Sequence, residues 1–174
     1  MTRDRLWTLP NCVSLSRLGL AAAFVLVGDV AWRLALVGIA TTTDYLDGWL
    51  ARRRGGFSRL GALIDAGTDR AFSVVAVATL AFDGVLTSLG VLVFLSRDLA
   101  TAVAFIIAKR FESLRNVTFV ARFPGKVVTV LQLLALAVAI AAPGRVNGIV
   151  AVLAVASAIA IVDYARAFWN ARAH

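Results

Sequence analysis

Four aspartates lie close together in an otherwise apolar part of the sequence. Asp44 and Asp47 are three residues apart, and Asp65 and Asp69 are four residues apart. On a helix, either spacing places the two side chains of a pair on one face. A charged residue inside a bilayer costs at least about 2.5 kcal/mol, so four carboxylates in apolar helices need compensating charge.

A divalent cation would supply that charge. Carboxylate oxygens are hard ligands that suit magnesium, manganese or calcium. The single cysteine, Cys12, is distant and the single histidine, His174, is terminal, so a zinc site of thiolate or imidazole type is not expected. Four aspartates from two antiparallel helices could hold two cations, which would bridge a diphosphate and stabilise both the attacking and the leaving oxygen.

The residues between the two aspartate pairs fit a nucleotide diphosphate ligand. Gly48 and the small Ala51 leave one side of the helix bare, so a ligand could approach the backbone. Arg52 lies two turns after Asp44 and could reach a phosphate. Gly61 opens the next helix, where backbone amides could face the same ligand.

Residues 44–69 resemble a family signature. They fit the pattern D-x2-D-G-x2-A-R-x8-G-x3-D-x3-D, which is similar to that of the class I CDP-alcohol phosphatidyltransferases. The resemblance implies that the four aspartates bind metal, with Mg²⁺ or Mn²⁺ expected. It also implies catalytic roles for Asp65 and Asp69, with Asp69 as the general base. The positions that resemble contacts to the cytidine diphosphate are Gly48, Ala51, Arg52 and Gly61.

The resemblance also implies a reaction and a setting. A phosphatidyl group would pass from CDP-diacylglycerol to an alcohol acceptor, and CMP would be released. Such enzymes are typically homodimers whose site opens to the cytoplasm and the membrane. Most of the rate in phosphoryl-type transfer comes from positioning and electrostatics, which agrees with a site built from carboxylates and metal.

Shorter stretches bear on the acceptor. Two of them resemble the branch that contains phosphatidylglycerophosphate synthases and CMP-forming cardiolipin synthases: Pro10-Asn11 with Ser14 and Arg17, and Gly125 to Thr129 with Gln132. Ser96-Arg97-Asp98 resembles the cardiolipin synthases. The acceptor is therefore expected to be glycerol-3-phosphate or phosphatidylglycerol.

Basic residues in the second half could bind the acceptor's phosphate: Arg97, Arg110, Arg115 and Lys126. Each has an alternative interpretation. Arg97 and the adjacent Asp98 could simply neutralise each other within a helix. The other three could set membrane orientation and contact lipid headgroups.

Composition predicts an all-α integral membrane protein. The 174 residues are 60% hydrophobic, above the usual 45–50%. A bilayer span needs about 20 mostly apolar residues, and six segments qualify: 12–28, 31–52, 61–82, 85–109, 126–142 and 146–168. We expect one domain over 1–174, with an interfacial segment at 1–11 that includes a short helix at 3–9, a six-helix bundle at 12–168, and a tail at 169–174. Pro10, Pro124 and Pro143 are expected in connections.

Charge predicts the orientation. Fourteen lysines and arginines fall at the N-terminus, in the second and fourth connections and near the C-terminus, whereas the other side holds only Arg33 and Arg145. The positive-inside rule then places both termini and the site on the cytoplasmic side of a cell (inner) membrane. The net charge of +8 is expected to meet anionic lipids rather than nucleic acid.

Two other functions compete with the enzyme. A cation transporter would also use intramembrane carboxylates, but it would not need Gly48, Ala51 and Arg52 at their spacing, and the sequence has no visible internal repeat. A non-catalytic family member is the second alternative. The presence of Asp69 argues against it.

Overall fold

The computed structural model describes residues 9–53, 59–110 and 123–172. Within these ranges the chain is helical apart from short connections and contains no strand, so the all-α prediction is confirmed. The helices are α1 (Leu9–Leu26), α2 (Val30–Arg53), α3 (Arg59–Phe82), α4 (Ser88–Arg110), α5 (Phe123–Ala141) and α6 (Val146–Arg172), with a 3-10 turn at Pro143–Arg145. These six helices begin and end within four residues of the six predicted segments.

The chain divides into two compact units, Met1–Phe82 and Asp83–His174. In the first unit, α1 packs against both α2 and α3. The fully buried Phe24 of α1 meets Phe72 of α3 edge to face, with the ring centroids 6.1 Å apart. Ring quadrupoles favour this arrangement. The contact fastens α1 to the helix that carries the second aspartate pair.

In the second unit, α6 packs against α4 and α5. Ala135 and Ala139 of α5 and Ala160 of α6 are fully buried. Small residues of this kind let helix backbones approach closely. In addition, the side-chain amide of Gln132 on α5 donates a 2.7 Å hydrogen bond to the carbonyl oxygen of Phe94 on α4. Close packing and a side-chain bond therefore hold the three helices.

Local capping explains where two helices begin. The Asp29 carboxylate accepts a 3.0 Å hydrogen bond from the backbone N–H of Trp32 and so caps α2. After α3, Gly84 has a φ of 75°, which glycine adopts without steric cost. The Thr87 hydroxyl then accepts a 3.2 Å bond from the N–H of Gly90. This turn is the reason that α4 begins three residues later than the sequence predicts.

The expectation that prolines fall in connections is wrong for two of them. Pro10 and Pro124 are each the second residue of a helix, α1 and α5, whereas Pro143 lies in the connection between α5 and α6. The first amides of a helix have no acceptor within it, so a proline in the first turn removes no hydrogen bond.

Among the described residues, one stretch, Pro143–Arg166, is long and apolar enough to cross a membrane. Shorter apolar stretches occur at Ser14–Leu26 and Gly125–Ala141. Six spans, a single domain and cytoplasmic termini stay predictions. The expected interfacial helix at 3–9 lies outside the described residues except for its last residue.

Candidate functional site

The aspartate signature lies on the two helices of the first unit that pack against α1. Asp44 and Asp47 are one turn apart on α2, and Asp65 and Asp69 are one turn apart on α3. Asp44 and Asp69 are exposed. The side chains of Asp47 and Asp65 lie outside the described residues, as do those of the predicted CDP-lipid contacts: Gly48, Ala51, Arg52 and Gly61.

The described side chains therefore include two of the four predicted metal ligands. In this part of the chain, no group of three or more aspartate, glutamate, histidine or cysteine side chains comes together. The metal site at the four carboxylates therefore stays a prediction.

An arginine from α1 contacts the first aspartate of the signature. The Arg17 Nη2 atom lies 3.2 Å from Asp44 Oδ1. The Arg17 side chain is fully buried, whereas half of the Asp44 side chain is exposed. The sequence predicts Arg17 as a charge that sets orientation and as part of the resembling stretch that begins at Pro10, but it does not predict this contact. The signal for it is position, because an arginine in the middle of an apolar helix needs a counter-charge.

At this level α1 turns polar groups inward and apolar groups outward. Ser14 and Arg17 are fully buried, whereas Leu15 and Leu18 are 41% and 46% exposed. Thr68, the residue before the last signature aspartate, is also buried on α3. Buried polar side chains on α1 and α3 therefore face the interior of the first unit.

The predicted acceptor-binding residues are only partly described. Arg97 lies on α4, and Lys126 is exposed near the start of α5. The side chain of Arg110 and the whole of Arg115 lie outside the described residues.

Arg97 is oriented mainly by α5. Its Nη1 atom donates a 2.9 Å hydrogen bond to the Thr129 hydroxyl, which in turn donates to the carbonyl oxygen of Gly125 at 3.1 Å. Asp98 Oδ1 lies 4.0 Å from the same nitrogen, beyond hydrogen-bond distance. The contact of Arg97 with Asp98 is thus weaker than its hydrogen bond to Thr129.

Gly125 is the point at which three helices meet closely. A β-carbon at this position would overlap the Tyr164 hydroxyl of α6 and would lie 3.3 Å from Nη2 of Arg97 on α4. Glycine is therefore what allows these two side chains to approach the first turn of α5. Tyr164 is not among the predicted residues, and the glycine that begins Gly125-Lys126 is the only sequence signal for its position.

Comparison with known proteins places these features in a family. A model of the CDP-alcohol phosphatidyltransferase family matches residues 7–162. The chain is 36% identical over 102 residues to a Mycobacterium tuberculosis protein described provisionally as a cardiolipin synthase, covering 56% of this chain and 49% of the relative.

Two further relatives are similar over shorter or weaker matches. A CMP-forming cardiolipin synthase of Streptomyces coelicolor is 31% identical over 116 residues, which cover 62% of this chain and 54% of the relative. A phosphatidylinositol phosphate synthase of Corynebacterium glutamicum is 34% identical over 70 residues, which cover 38% of this chain and 32% of the relative.

The chain spans about half the length of the two cardiolipin synthase relatives that it matches. The family model, by contrast, covers most of the chain and includes the whole signature at 44–69. With that match and the helices that carry the signature, the chain belongs to the CDP-alcohol phosphatidyltransferase family.

Proposed function

We propose that this protein is a phospholipid-synthesising enzyme that transfers a phosphatidyl group from CDP-diacylglycerol to an alcohol and releases CMP. The observation that carries the proposal is the family match over residues 7–162, within which all eight signature positions are present. A relative whose name includes CMP-forming cardiolipin synthesis supports the same leaving group.

The carboxylates fit the metal that such a reaction needs. Two divalent cations, Mg²⁺ or Mn²⁺, would be held by Asp44, Asp47, Asp65 and Asp69. Four carboxylates form a hard oxygen donor set of the kind that these ions prefer. The described members, Asp44 and Asp69, are exposed on helices that both pack against α1. When bound, the cations would stabilise the negative charge that develops on the diphosphate.

The chain's own residues would bind the donor and move one proton. Gly48, Ala51 and Gly61 leave room for the cytidine diphosphate, and Arg52 would pair with a phosphate. Asp69 would accept the proton of the acceptor hydroxyl as its oxygen bonds to the lipid-bearing phosphorus. The bond from that phosphorus to the CMP oxygen breaks, and CMP leaves with the electron pair.

A multi-pass location in the cell (inner) membrane, with the site towards the cytoplasm, is part of the proposal. The buried Ser14 and Arg17 beside exposed Leu15 and Leu18 support it, because a helix in a bilayer turns polar groups inwards. Phe82, at the end of α3, is 92% exposed. We further propose that the enzyme works as a homodimer in contact with anionic lipids.

For the acceptor we propose phosphatidylglycerol, with glycerol-3-phosphate as the alternative. The similarity to two relatives named as cardiolipin synthases supports phosphatidylglycerol. A phosphate of either acceptor would meet Arg97, whose guanidinium is held by Thr129. Arg110, Arg115 and Lys126 would complete this basic pocket.

The proposal is tested by CMP release from CDP-diacylglycerol by purified protein with Mg²⁺ or Mn²⁺. Phosphatidylglycerol, glycerol-3-phosphate, inositol phosphate and serine are supplied in turn. We expect CMP with the first or second acceptor only. CMP with inositol phosphate would favour the activity named for the Corynebacterium glutamicum relative, and no CMP with any acceptor would exclude the enzyme.

Asp69→Asn tests the proton acceptor. Turnover should fall by about 10²- to 10⁴-fold, the usual contribution of a general base, while CDP-lipid binding changes little. Asp83→Asn is the matched control, because Asp83 is an exposed aspartate just beyond the C-terminal end of α3. Equal losses of binding and turnover in Asp69→Asn would make Asp69 a ligand rather than a base.

The two rival functions give different results. A cation transporter would carry Mg²⁺ or Mn²⁺ across liposomes that contain no CDP-lipid. A non-catalytic family member would bind CDP-lipid and metal but release no CMP with any acceptor.

A further inference from the structure

Arg17 is the one fully buried charged side chain among the described residues. An arginine stays protonated under all physiological conditions, so burial cannot be relieved by loss of a proton. Removing such a cation from water costs several kcal/mol unless a partner compensates. A buried arginine in α1 therefore requires a negative group within reach, and its choice of partner is informative.

The first signature aspartate is one such partner. Arg17 Nη2 and Asp44 Oδ1 are 3.2 Å apart, which links α1 to α2. The pair is asymmetric, because the guanidinium is fully buried and half of the Asp44 side chain is exposed. One side of the carboxylate thus faces the interior, and the group remains accessible from outside the helix pair.

We infer that Arg17 is a positioning residue for the proposed metal site: it holds the Asp44 carboxylate in the orientation in which that group binds a divalent cation. This inference rests on the proposed function, which makes Asp44 a metal ligand. Ligating carboxylates in proteins are themselves hydrogen-bonded, and loss of such an outer partner typically weakens metal binding 10- to 100-fold. Arg17 does not touch substrate or metal.

The competing interpretation is that the pair only fastens α1 to α2. Both interpretations predict a loss of stability when Arg17 is replaced, since the ion pair is broken in either case. They differ in the metal affinity that they predict for an Arg17 variant that still folds. If the contact only fastens the helices, the metal affinity of that variant should equal that of the wild type.

The experiment is a Mn²⁺ titration of the purified full chain, followed by electron paramagnetic resonance of the unbound ion, without CDP-lipid. Arg17→Met removes the charge but retains much of the volume. We expect it to raise the Kd for Mn²⁺ by about tenfold. Arg17→Lys keeps the charge but loses the planar guanidinium, so its Kd should lie between those of the wild type and Arg17→Met.

A double-mutant cycle with Asp44→Asn tests whether Arg17 affects Mn²⁺ binding through the Asp44 carboxylate. Once the carboxylate is gone, Arg17→Met should weaken Mn²⁺ binding no further. Arg33→Met is the matched control, because Arg33 belongs to the same unit, lies three turns before Asp44 on α2 and bonds to the carbonyl oxygen of Val27. It should lower stability and leave the Kd for Mn²⁺ unchanged.

The outcomes separate this inference from the proposed function. A wild-type chain that binds no Mn²⁺ would overturn the metal site and the role of Arg17 with it. Wild-type binding together with an unchanged or lower Kd in Arg17→Met would overturn the role of Arg17 alone. If Arg17→Met does not fold, the increase in Tm on adding Mn²⁺ is measured for Arg17→Lys and for the wild type. A smaller increase in Arg17→Lys supports the inference, and an equal increase overturns it.

Discussion

Gly125→Ala should destabilise the second unit, although alanine is normally the better helix former. The added methyl group would overlap the Tyr164 hydroxyl and crowd Nη2 of Arg97. Overpacking of this kind typically costs about 1–3 kcal/mol. The helix-propensity gain of alanine over glycine is at most about 1 kcal/mol, and only part of it applies in the first turn of α5.

The two opposing effects leave a net loss of about 1–2 kcal/mol. For a chain of this length, that corresponds to a fall in Tm of about 2–8 °C, measured by tryptophan fluorescence in detergent. Because Arg97 must move as well, the KM for the acceptor should rise more than kcat falls. Gly148→Ala is the matched control: Gly148 is also the third residue of its helix, and a β-carbon there meets nothing within 4 Å.

Tyr164→Phe tests the cause. Without the hydroxyl, the nearest neighbours of the new β-carbon are the ring carbon Cζ at 3.2 Å and Arg97 Nη2 at 3.3 Å, which need shift only slightly. The cost of Gly125→Ala should therefore fall by at least half in the Tyr164→Phe background. A Gly125→Ala protein as stable as the wild type would refute the packing argument, and an equal cost in both backgrounds would refute the assignment to Tyr164.

Two further variants test stability, one in each unit. Arg33→Ala should lower the free energy of unfolding by about 2–3 kcal/mol, because it removes two contacts. These are a charge-assisted 2.7 Å hydrogen bond to the carbonyl oxygen of Val27 and a cation–π contact with Arg33 Cζ 5.2 Å from the centroid of the Phe24 ring. The control Arg145→Ala, at an exposed residue, should stay within about 0.5 kcal/mol of the wild type, and equal losses in the two variants would contradict the role given to these contacts. Ser157→Ala should stabilise by about 1 kcal/mol, because this hydroxyl is buried with no hydrogen-bond partner among the described residues, and a lower Tm would show that it has one.

The helices could be predicted from the sequence because apolar length is a strong signal. Their ends were harder, since they depend on single residues. Pro10 and Pro124 were expected outside helices, yet a proline in the first turn costs no hydrogen bond. At the start of α4, the left-handed Gly84 and the capping Thr87 set the boundary, and neither stands out in an apolar count.

The signature residues could also be predicted, but their partners could not. Arg17 contacts Asp44, and this contact depends on the rotation of α1 about its own axis. That rotation carries little sequence signal, because α1 is apolar on most of its surface and exposes Leu15 and Leu18. Tyr164 is similar, since its approach to Gly125 depends on how α6 packs against α5.

The structure also gives two of the charges that were counted for the proposed orientation a role within the first unit. Arg17 contacts Asp44 inside the first unit, and Arg33 bonds to the carbonyl oxygen of Val27, just after α1, and lies over Phe24, so both serve the fold. Both keep their charge in these contacts, so fourteen basic residues still lie on the proposed cytoplasmic side and two, Arg33 and Arg145, on the other. Arg33 thus has a structural role and remains an exception to the positive-inside rule. The proposed orientation therefore depends on clusters of charge at the helix ends and in the connections, and no single arginine decides it.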